Sequence, residues 1–458
     1  PLGEVGHGCG PGPPELLGCD RDPVRFQVLP MVGDSSIPGG DVLVRDGEII
    51  AVGTRLDESY PGEEARDLAE CVLMPGFVNA HTHIEPTFMR DRLDGLDLWD
   101  WLEALGFRKD KSPPAELLRW SALLGAAECA RSGVTCVGDS SFAGLSPEAL
   151  DEVGLRGIGY IEFFGQSAGN RYAEKLEGKL RLANELDART SDRIAIGISP
   201  HSIYTSNRQT LELCAGLEVP VSLHLAETWA ETEYSISGTG PIADMRARMG
   251  YPPMPSGLSP VRYLSVTGLL RPGVCLAHCV HVTSEEAELI AGSGASVAHC
   301  ARSNAYLGVG IAPLVGFLDA DAVVGLGTDS AASCGRLDFF EEIRFALALQ
   351  RARAEDAGVL TAKSVLNLAT MGGAAALGLS DRIGSLEPGK RADMIAVDVG
   401  DMLPGADPWL TVISKSPADV RMTLVDGAEI ARDGLPVRVD LAECRGRLTE
   451  VIDQLGVG

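Results

Sequence analysis

The chain has 458 residues, of which 45% are hydrophobic and 22% are charged, a composition typical of an ordinary soluble globular protein. At this length we expect one large domain with a smaller one beside it. The formal net charge of -25 argues against nucleic acid as a partner, because phosphates need a basic surface, and it argues equally against anionic membranes. No apolar run is long enough to span a bilayer, and the start shows no signal-peptide pattern.

The 11 cysteines are odd in number and form no Cys-x-x-Cys pair. Most of them lie inside apolar strand or helix patterns. They are therefore predicted to be reduced, small core residues rather than a disulfide framework. This usage of cysteine indicates a cytoplasmic protein.

Two turn signals predict hairpins near opposite ends of the chain. Asp46-Gly47 lies between apolar runs and predicts a hairpin over residues 42–52. Asp426-Gly427 predicts a similar hairpin over residues 422–430. Because strand patterns occur at both ends and a different pattern lies between them, we predict one small β-sandwich domain built from both termini.

The predicted domain boundaries follow from this division. They are a flexible, Gly- and Pro-rich tail over 1–20, the composite β domain over 21–73 and 385–440, a larger α/β domain over 74–384, and a C-terminal helix over 441–458.

The larger domain alternates apolar strands with helical patterns, which is typical of a parallel sheet. With about eight such units in the space available, a (β/α)8 barrel is the favoured closure and a doubly wound open sheet is the alternative. The helix-to-strand pairs that carry this prediction are 114–131 into 134–137, 211–217 into 219–223, 285–292 into 295–298, and 313–318 into 323–327.

A short apolar strand over residues 72–78 leads into His81-Thr82-His83. Residues i and i+2 of a strand point to the same face, so His81 and His83 can direct two imidazoles at one point. Two neutral imidazoles side by side begin a zinc-type site. The motif alone is weak, and two polar residues that merely end a strand are an equal alternative.

The other histidines favour a metal site. All histidines except His7 lie between residues 81 and 299, and most follow an apolar, strand-like run. In a barrel, all strand ends meet at one mouth. His81, His83, His224 and Asp329 would there provide three nitrogens and one carboxylate with room for a water, as a catalytic zinc site requires.

A single metal ion is expected at this site. No lysine occurs between Lys179 and Lys363, so the strand that ends near His201 cannot offer a carbamylated lysine to bridge two metals. Zn²⁺ is the favoured ion, while Fe²⁺ and Mn²⁺ also accept nitrogen and carboxylate ligands.

The ordered set of motifs resembles the amidohydrolase superfamily, in its branch of adenosine and chlorohydrolase-like deaminases. The motifs are His81-Thr82-His83, His224-Leu225-Ala226-Glu227, His278-Cys279-Val280-His281, His299 to Asn304, and Gly327-Thr328-Asp329-Ser330. Within this branch the chain is most similar to the aminodeoxyfutalosine deaminases of menaquinone biosynthesis. Relatives usually carry Pro where Ala301 stands, and Cys334 stands where Asn would be unsurprising.

The resemblance implies a role for each catalytic residue. Asp329 is expected to ligate the metal and also to take a proton from the attacking water. Glu227 is expected to carry a proton to a ring nitrogen of a purine. His278 is expected to orient the attacking group and stabilise the tetrahedral intermediate. For Glu227 the alternative is a solvated carboxylate, and for His278 a buried structural histidine.

Three further residues are predicted to bind substrate. His201 is expected to contact the ribose or the base. Glu85 either recognises substrate or orients a ligand histidine. Arg302 is suited to bind the benzoate of aminodeoxyfutalosine, with a surface ion pair as the equal alternative. On this hypothesis, Arg302→Met raises KM for the carboxylated substrate and spares adenosine.

Two further segments have features that suggest a place near the site. Trp99 and Trp101 could line a base pocket, although aromatic residues at this spacing more often pack a loop onto the barrel. The Gly- and Pro-rich segment 231–264 is long for a βα connection and is expected to form part of a lid.

The predicted activity is the hydrolytic deamination of an aminopurine nucleoside, most specifically aminodeoxyfutalosine, with release of ammonia. This is a hydrolase reaction on a carbon–nitrogen bond of a cyclic amidine. Alternative substrates are S-adenosylhomocysteine, methylthioadenosine, adenosine, guanine or a chlorotriazine-like ring, and the non-enzymatic alternative is a silent metal-binding scaffold. The partners expected are one divalent metal and a small-molecule substrate, and a homo-oligomer is compatible with the sequence.

Overall fold

The structure is a computed structural model that describes residues 15–18, 27–33, 36–68, 70–96, 98–104, 113–166 and 171–455. Most of the predicted N-terminal tail and the side chain of Trp99 lie outside the described residues.

The first part of the chain forms short strands and one short helix. They are β1 (Glu15–Gly18), β2 (Gln27–Val28), β3 (Ile37–Pro38), β4 (Gly40–Arg45), β5 (Glu48–Thr54), the short helix α1 (Leu56–Ser59), β6 (Glu64–Asp67) and β7 (Cys71–Pro75).

Strands and helices then alternate. The first half of this region contains β8 (Phe77–His83), the 3-10 helix Glu85–Met89, α2 (Leu98–Ala104), α3 (Ala115–Arg131), β9 (Val134–Ser141), α4 (Ser146–Val153), β10 (Arg156–Phe163), α5 (Tyr172–Asp187), β11 (Ile194–Pro200), α6 (Arg208–Ala215), β12 (Val221–Leu225), α7 (Trp229–Ser237), α8 (Pro241–Arg248) and α9 (Pro260–Val266). The second half contains β13 (Val274–His278), α10 (Ser284–Ser293), β14 (Ser296–His299), α11 (Ala301–Tyr306), α12 (Leu314–Asp319), β15 (Val323–Leu326), β16 (Asp329–Ser330), α13 (Ala331–Cys334), α14 (Phe339–Ala354), α15 (Ala362–Asn367), the π-helix Leu368–Gly372 and α16 (Gly373–Ala376).

The last part of the chain returns to strands and ends in a helix. Its elements are β17 (Met394–Asp398), α17 (Pro408–Ile413), the 3-10 helix Pro417–Asp419, β18 (Val420–Val425), β19 (Ala428–Arg432), β20 (Leu435–Pro436) and α18 (Leu441–Leu455).

The central sheet is parallel and has the order β15-β14-β13-β12-β11-β10-β9-β8-β16. β16 follows β15 after two residues and pairs with β8 through Asp329 and Thr82, so the sheet curls back towards its first strand. The helices that connect its strands are those of an α/β fold. This arrangement agrees with the predicted TIM-like barrel and disagrees with an open, doubly wound sheet.

The N-terminal strands form one of the two remaining sheets, and strands from both ends of the chain form the other. One has the order β5-β4-β1-β6, and the other has the order β20-β19-β18-β17-β7-β2-β3. Buried residues of both sheets, among them Leu17, Val42, Leu73 and Met394, belong to one hydrophobic cluster. The β part therefore combines the two termini, while a sandwich geometry remains a prediction.

The two Asp-Gly hairpins are confirmed. β4 pairs antiparallel with β5, and β18 pairs antiparallel with β19. Asp46, Gly47, Asp426 and Gly427 all have positive φ, as two-residue turns of the mirror-image type require. The tail prediction is wrong over Glu15–Gly18, because the apolar pair Leu16-Leu17 is buried there and pairs with β4.

The apolar run that precedes the His-x-His motif is divided between two sheets. β7 pairs with β17 in the terminal sheet, whereas β8 pairs with β9 in the central sheet. Gly76 lies at the junction, where a Cβ atom would stand 2.1 Å from the Thr135 side chain. Only glycine permits this close approach.

The described helices are all too short or too polar to span a membrane.

Candidate active site

The four predicted metal ligands meet at one end of the central sheet. His81 and His83 lie in the last three residues of β8, His224 lies in β12, and Asp329 begins β16. The Nε2 atoms of His81 and His83 each lie 3.7 Å from Asp329 Oδ1. The Nε2 atoms of His83 and His224 are 3.1 Å apart. Residues that are separated by as many as 248 positions are therefore close enough to share one ligand.

Neighbouring groups orient two of these side chains. His224 Nδ1 donates a hydrogen bond to the carbonyl of His201 at 2.8 Å, which leaves the lone pair of Nε2 for a ligand. The hydroxyls of Ser303 and Ser333 donate to Asp329 Oδ2 at 2.6 and 2.8 Å. Asp329 Oδ1 is consequently the oxygen that faces the histidines.

The donor set fits a divalent metal ion. His81 Nε2 is buried and has no hydrogen-bond partner among the described residues, which is costly unless a ligand satisfies the atom. His81, His83 and Asp329 offer ligand atoms within 4.8 Å of one another, and so do His81, His224 and His278. Neutral imidazoles with one carboxylate are ligands that Zn²⁺, Fe²⁺ and Mn²⁺ accept.

The pKa values of the candidate ligands favour the binding of a cation. Burial, with the neighbouring imidazoles, lowers the pKa of His81 and of His224 well below the usual value. Burial also lowers the pKa of His83. Burial alone would raise the pKa of Asp329, but His278, His83 and His81 outweigh it and lower that pKa. Neutral histidines beside an ionised aspartate are the protonation states that metal binding needs.

The backbone is strained where the site residues leave their strands. His278 has φ 72° and Asp329 has φ 57°, and Ala226, which lies between His224 and Glu227, has φ 51°. Side chains other than glycine rarely adopt the left-handed region, and such residues cluster at functional sites. These turns direct the side chains towards the end of the central sheet at which the candidate ligands meet.

Glu227 and His278 form a pair beside the proposed ligands. Glu227 Oε1 lies 3.7 Å from His278 Nε2. The other ring nitrogen of His278, Nδ1, lies 2.8 Å from Asn304 Oδ1 and donates to it. Burial raises the pKa of Glu227, Asp329 raises it further, and His278 opposes both. Glu227 is therefore protonated more readily than an exposed glutamate.

A cavity of about 660 Å³ opens at this end of the sheet. His201, Glu85 and Trp101 line it, as do Glu227, His278 and Asp329. Met249, which follows α8, and Tyr251 also line it, so part of the predicted lid segment contacts the cavity.

Two polar residues of the cavity, His201 and Glu85, have different hydrogen-bond partners. His201 Nδ1 lies 3.1 Å from the hydroxyls of both Ser202 and Thr205, and burial lowers the pKa of His201 to about 3. Glu85 accepts hydrogen bonds from the Ser141 hydroxyl and from the backbone N–H groups of Ala143 and Leu145. Glu85 therefore holds the turn after β9, and it does not contact a ligand histidine through a hydrogen bond among the described residues.

Arg302 requires a correction. It is not among the described residues that line the cavity. Its guanidinium donates to the carbonyls of Cys334, Arg336 and Asp338, and it pairs with Glu341 at 2.9 Å. The side chain is thus committed to the loop before α14, because α11 turns this residue away from the site.

Replacing Arg302 with Met is expected to destabilise the protein rather than to change its substrate preference. The substitution leaves buried carbonyl oxygens without donors, which should cost about 3 kcal/mol in the free energy of unfolding. Urea unfolding measures this loss, and Arg344→Met is the matched control, since Arg344 also donates to two carbonyls. A KM that rises only for a carboxylated substrate would restore the original assignment of Arg302.

Sequence reasoning missed several groups of the site. Glu162 is the second-last residue of an apolar strand, and this position near a strand end, which the predicted histidines share, could have identified it. Its carboxylate lines the cavity, 4.0 Å from His83 Nδ1 and 3.8 Å from His224 Nδ1. Asn304, Ser303 and Ser333 have no such signal, because their orientation depends on how two short helices pack.

Comparison with known proteins shows the family to which the chain belongs. The model of the amidohydrolase family matches residues 72–430. The chain belongs to this family. It is 34% identical over 433 residues to the 5-methylthioadenosine/S-adenosylhomocysteine deaminase of Nitratidesulfovibrio vulgaris, with 92% of this chain and 94% of the relative covered. It is 36% identical over 442 residues to the protein of the same name from Halobacterium salinarum, with 92% and 95% covered.

Two solved structures are similar to this chain over almost its whole length. An adenosine deaminase from Xanthomonas campestris with bound zinc has a TM-score of 0.83 and 28% identity, and the match covers 97% of this chain and 99% of that one. A triazine hydrolase from Arthrobacter at 23% identity and a TM-score of 0.81 shares the fold, with 96% and 100% covered. The family match and the deaminases among these relatives identify this amidohydrolase as a hydrolytic deaminase.

Proposed function

We propose that this amidohydrolase deaminates an adenine nucleoside that carries a substituent at the 5′ position, with methylthioadenosine and S-adenosylhomocysteine as the first candidates. The observation that carries the proposal is Glu227, a buried carboxyl group with a raised pKa, 3.7 Å from His278 at the edge of the candidate metal centre. The relatives named for these two nucleosides match more than nine-tenths of the chain. The cavity volume of about 660 Å³ also suits a ligand larger than a free base.

His81, His83, His224 and Asp329 would hold one divalent metal, and His278 offers a further nitrogen nearby. When bound, the metal would supply Lewis acidity and lower the pKa of a water molecule. Asp329 Oδ1 takes the proton of the attacking water, while its other oxygen stays fixed by Ser303 and Ser333.

Glu227 donates its proton to the ring nitrogen next to the carbon that carries the amine. This makes that carbon more electrophilic at the moment of attack. His278 is held by Asn304, so its Nε2 presents a fixed lone pair to the attacking group. The proton held by Asp329 then passes to the amine, and ammonia leaves as its bond to the carbon breaks. The proton of the added hydroxyl returns to Glu227, which restores the acid and leaves the carbonyl product.

Aminodeoxyfutalosine is the narrower candidate that the motifs suggested. Its benzoate needs a cation in the cavity, and Arg302 is not directed there. Lys175 is the one cationic side chain among the described residues that line the cavity. Deamination of this nucleoside, and with it a role in menaquinone biosynthesis, therefore depends on Lys175 rather than on Arg302.

An ammonia-release assay tests the proposed function. The substrates are methylthioadenosine, S-adenosylhomocysteine, adenosine, aminodeoxyfutalosine and guanine, each with native protein, chelated protein and protein reloaded with Zn²⁺. We expect the highest kcat/KM with a 5′-substituted adenine nucleoside, loss of activity on chelation, and recovery with one metal per chain.

The alternatives give different results in the same assay. Guanine as the best substrate would replace the proposed substrate class. Protein that holds stoichiometric metal but releases no ammonia from any of the five compounds would be a silent metal-binding scaffold.

A further inference from the structure

One carboxylate of the cavity is not used by the proposed chemistry. Glu162, at the end of β10, is buried, with only 3% of its surface exposed, yet it lines the cavity. Its Oε1 atom has no hydrogen-bond partner among the described residues. A buried carboxylate oxygen without a donor is unfavourable, so this position favours a ligand that brings hydrogen-bond donors.

The other carboxyl groups of the cavity, and His201, are already committed to other contacts. Glu85 accepts three hydrogen bonds from the turn after β9. His201 contacts two hydroxyls through Nδ1. Glu227, His278 and Asp329 belong to the proton transfers. Glu162 is the remaining carboxylate that can accept from a ligand.

Glu162 does not fit the role of a group that orients the metal ligands. It lies 3.8 and 4.0 Å from the Nδ1 atoms of His224 and His83, beyond hydrogen-bond distance. A second metal between these three residues is also disfavoured, because His224 Nδ1 already donates to the carbonyl of His201. That nitrogen has no lone pair to offer.

We propose that Glu162 determines specificity for ribonucleosides by accepting hydrogen bonds from the 2′- and 3′-hydroxyls of the substrate's ribose. This inference rests on the proposed function, since it requires a nucleoside substrate. A carboxyl group in either protonation state keeps an acceptor oxygen, and two adjacent oxygens match two adjacent hydroxyls. Glu162 faces the Nδ1 side of His83 and His224, away from their Nε2 atoms, so the sugar lies beside the metal centre while the base reaches Glu227.

The test compares adenosine with 2′-deoxyadenosine and 3′-deoxyadenosine in the native enzyme and in the variants Glu162→Gln and Glu162→Ala. In the native enzyme we expect kcat/KM to fall by about 10²-fold when either hydroxyl is removed, because a buried acceptor oxygen is then left without a donor. In Glu162→Ala we expect the three substrates to become nearly equal. Glu342→Gln is the matched control, since Glu342 is equally buried, also has an oxygen without a partner among the described residues, and lies off the cavity.

Metal content and circular dichroism accompany the kinetics. If both Glu162 variants lower kcat/KM equally on all three substrates, or if both lose the metal, Glu162 supports the metal centre and the inference is wrong. If the native enzyme deaminates adenosine and the deoxynucleosides equally well, the inference fails while the proposed function stands. If no adenine nucleoside is deaminated at all, the proposed function fails and this inference fails with it.

Discussion

Replacing Asp329 with Asn should lower kcat on an adenine nucleoside by about 10⁴-fold, the upper range for removal of a positioned proton acceptor. An amide cannot take a proton from water, and it is a weaker metal ligand than a carboxylate. The hydroxyls of Ser303 and Ser333 hold Oδ2 of the native side chain, so the amide oxygen should occupy the same place. Steady-state kinetics, together with the metal content of the purified variant, measures the effect.

Ser333→Ala is the control for this experiment. It removes one donor to Asp329 and retains the carboxylate, and we expect a loss of about tenfold, as for one hydrogen bond to a charged group. A kcat for Asp329→Asn within tenfold of the native value would show that another group accepts the proton.

The second large effect is expected at Glu227. Replacing it with Gln should lower kcat by at least about 10²-fold with little change in KM, because a general acid acts in the transition state and not in substrate binding. The amide keeps the shape of the side chain but has no acidic proton. Glu231→Gln is the matched control, since Glu231 is also buried and accepts from the backbone of Glu227 at 2.9 Å.

The pH dependence gives an independent test of the same role. Burial raises the pKa of Glu227, so the protonated, active form persists to a higher pH than an exposed glutamate would allow. We therefore expect kcat to fall as the pH rises through the pKa of Glu227. Glu227→Gln should lose this alkaline limb, since it has no proton to titrate. A variant that retains the limb would assign it to another group.

Local patterns were sufficient for much of the fold. Period-two strands and Asp-Gly turns are encoded within a few residues, so both hairpins and the four helix-to-strand pairs lie close to where they were predicted. The same period placed His81 and His83 on one face of β8. The structure differs from the prediction at residue 76, where the apolar run divides between two sheets. The cause is the close contact of Gly76 with Thr135, which the local sequence does not show.

The sequence did not predict which of residues 301–304 face the site. Arg302, Ser303 and Asn304 are consecutive on α11, and successive residues of a helix are rotated by about 100°. Ser303 contacts Asp329 and Asn304 contacts His278, whereas Arg302 points to the loop before α14. The sequence contains all three side chains, but only the packing of α11 decides which of them face the site.

The amino-acid sequence by itself determined the candidate ligands, because a polar residue that follows an apolar strand of a parallel sheet is brought to a common edge by chain geometry alone. Only the tertiary structure decided which neighbours complete them. Asn304, Ser303 and Ser333 reach the site through contacts between elements that are far apart in the chain, and the spacing of residues along the chain carries no information about those contacts.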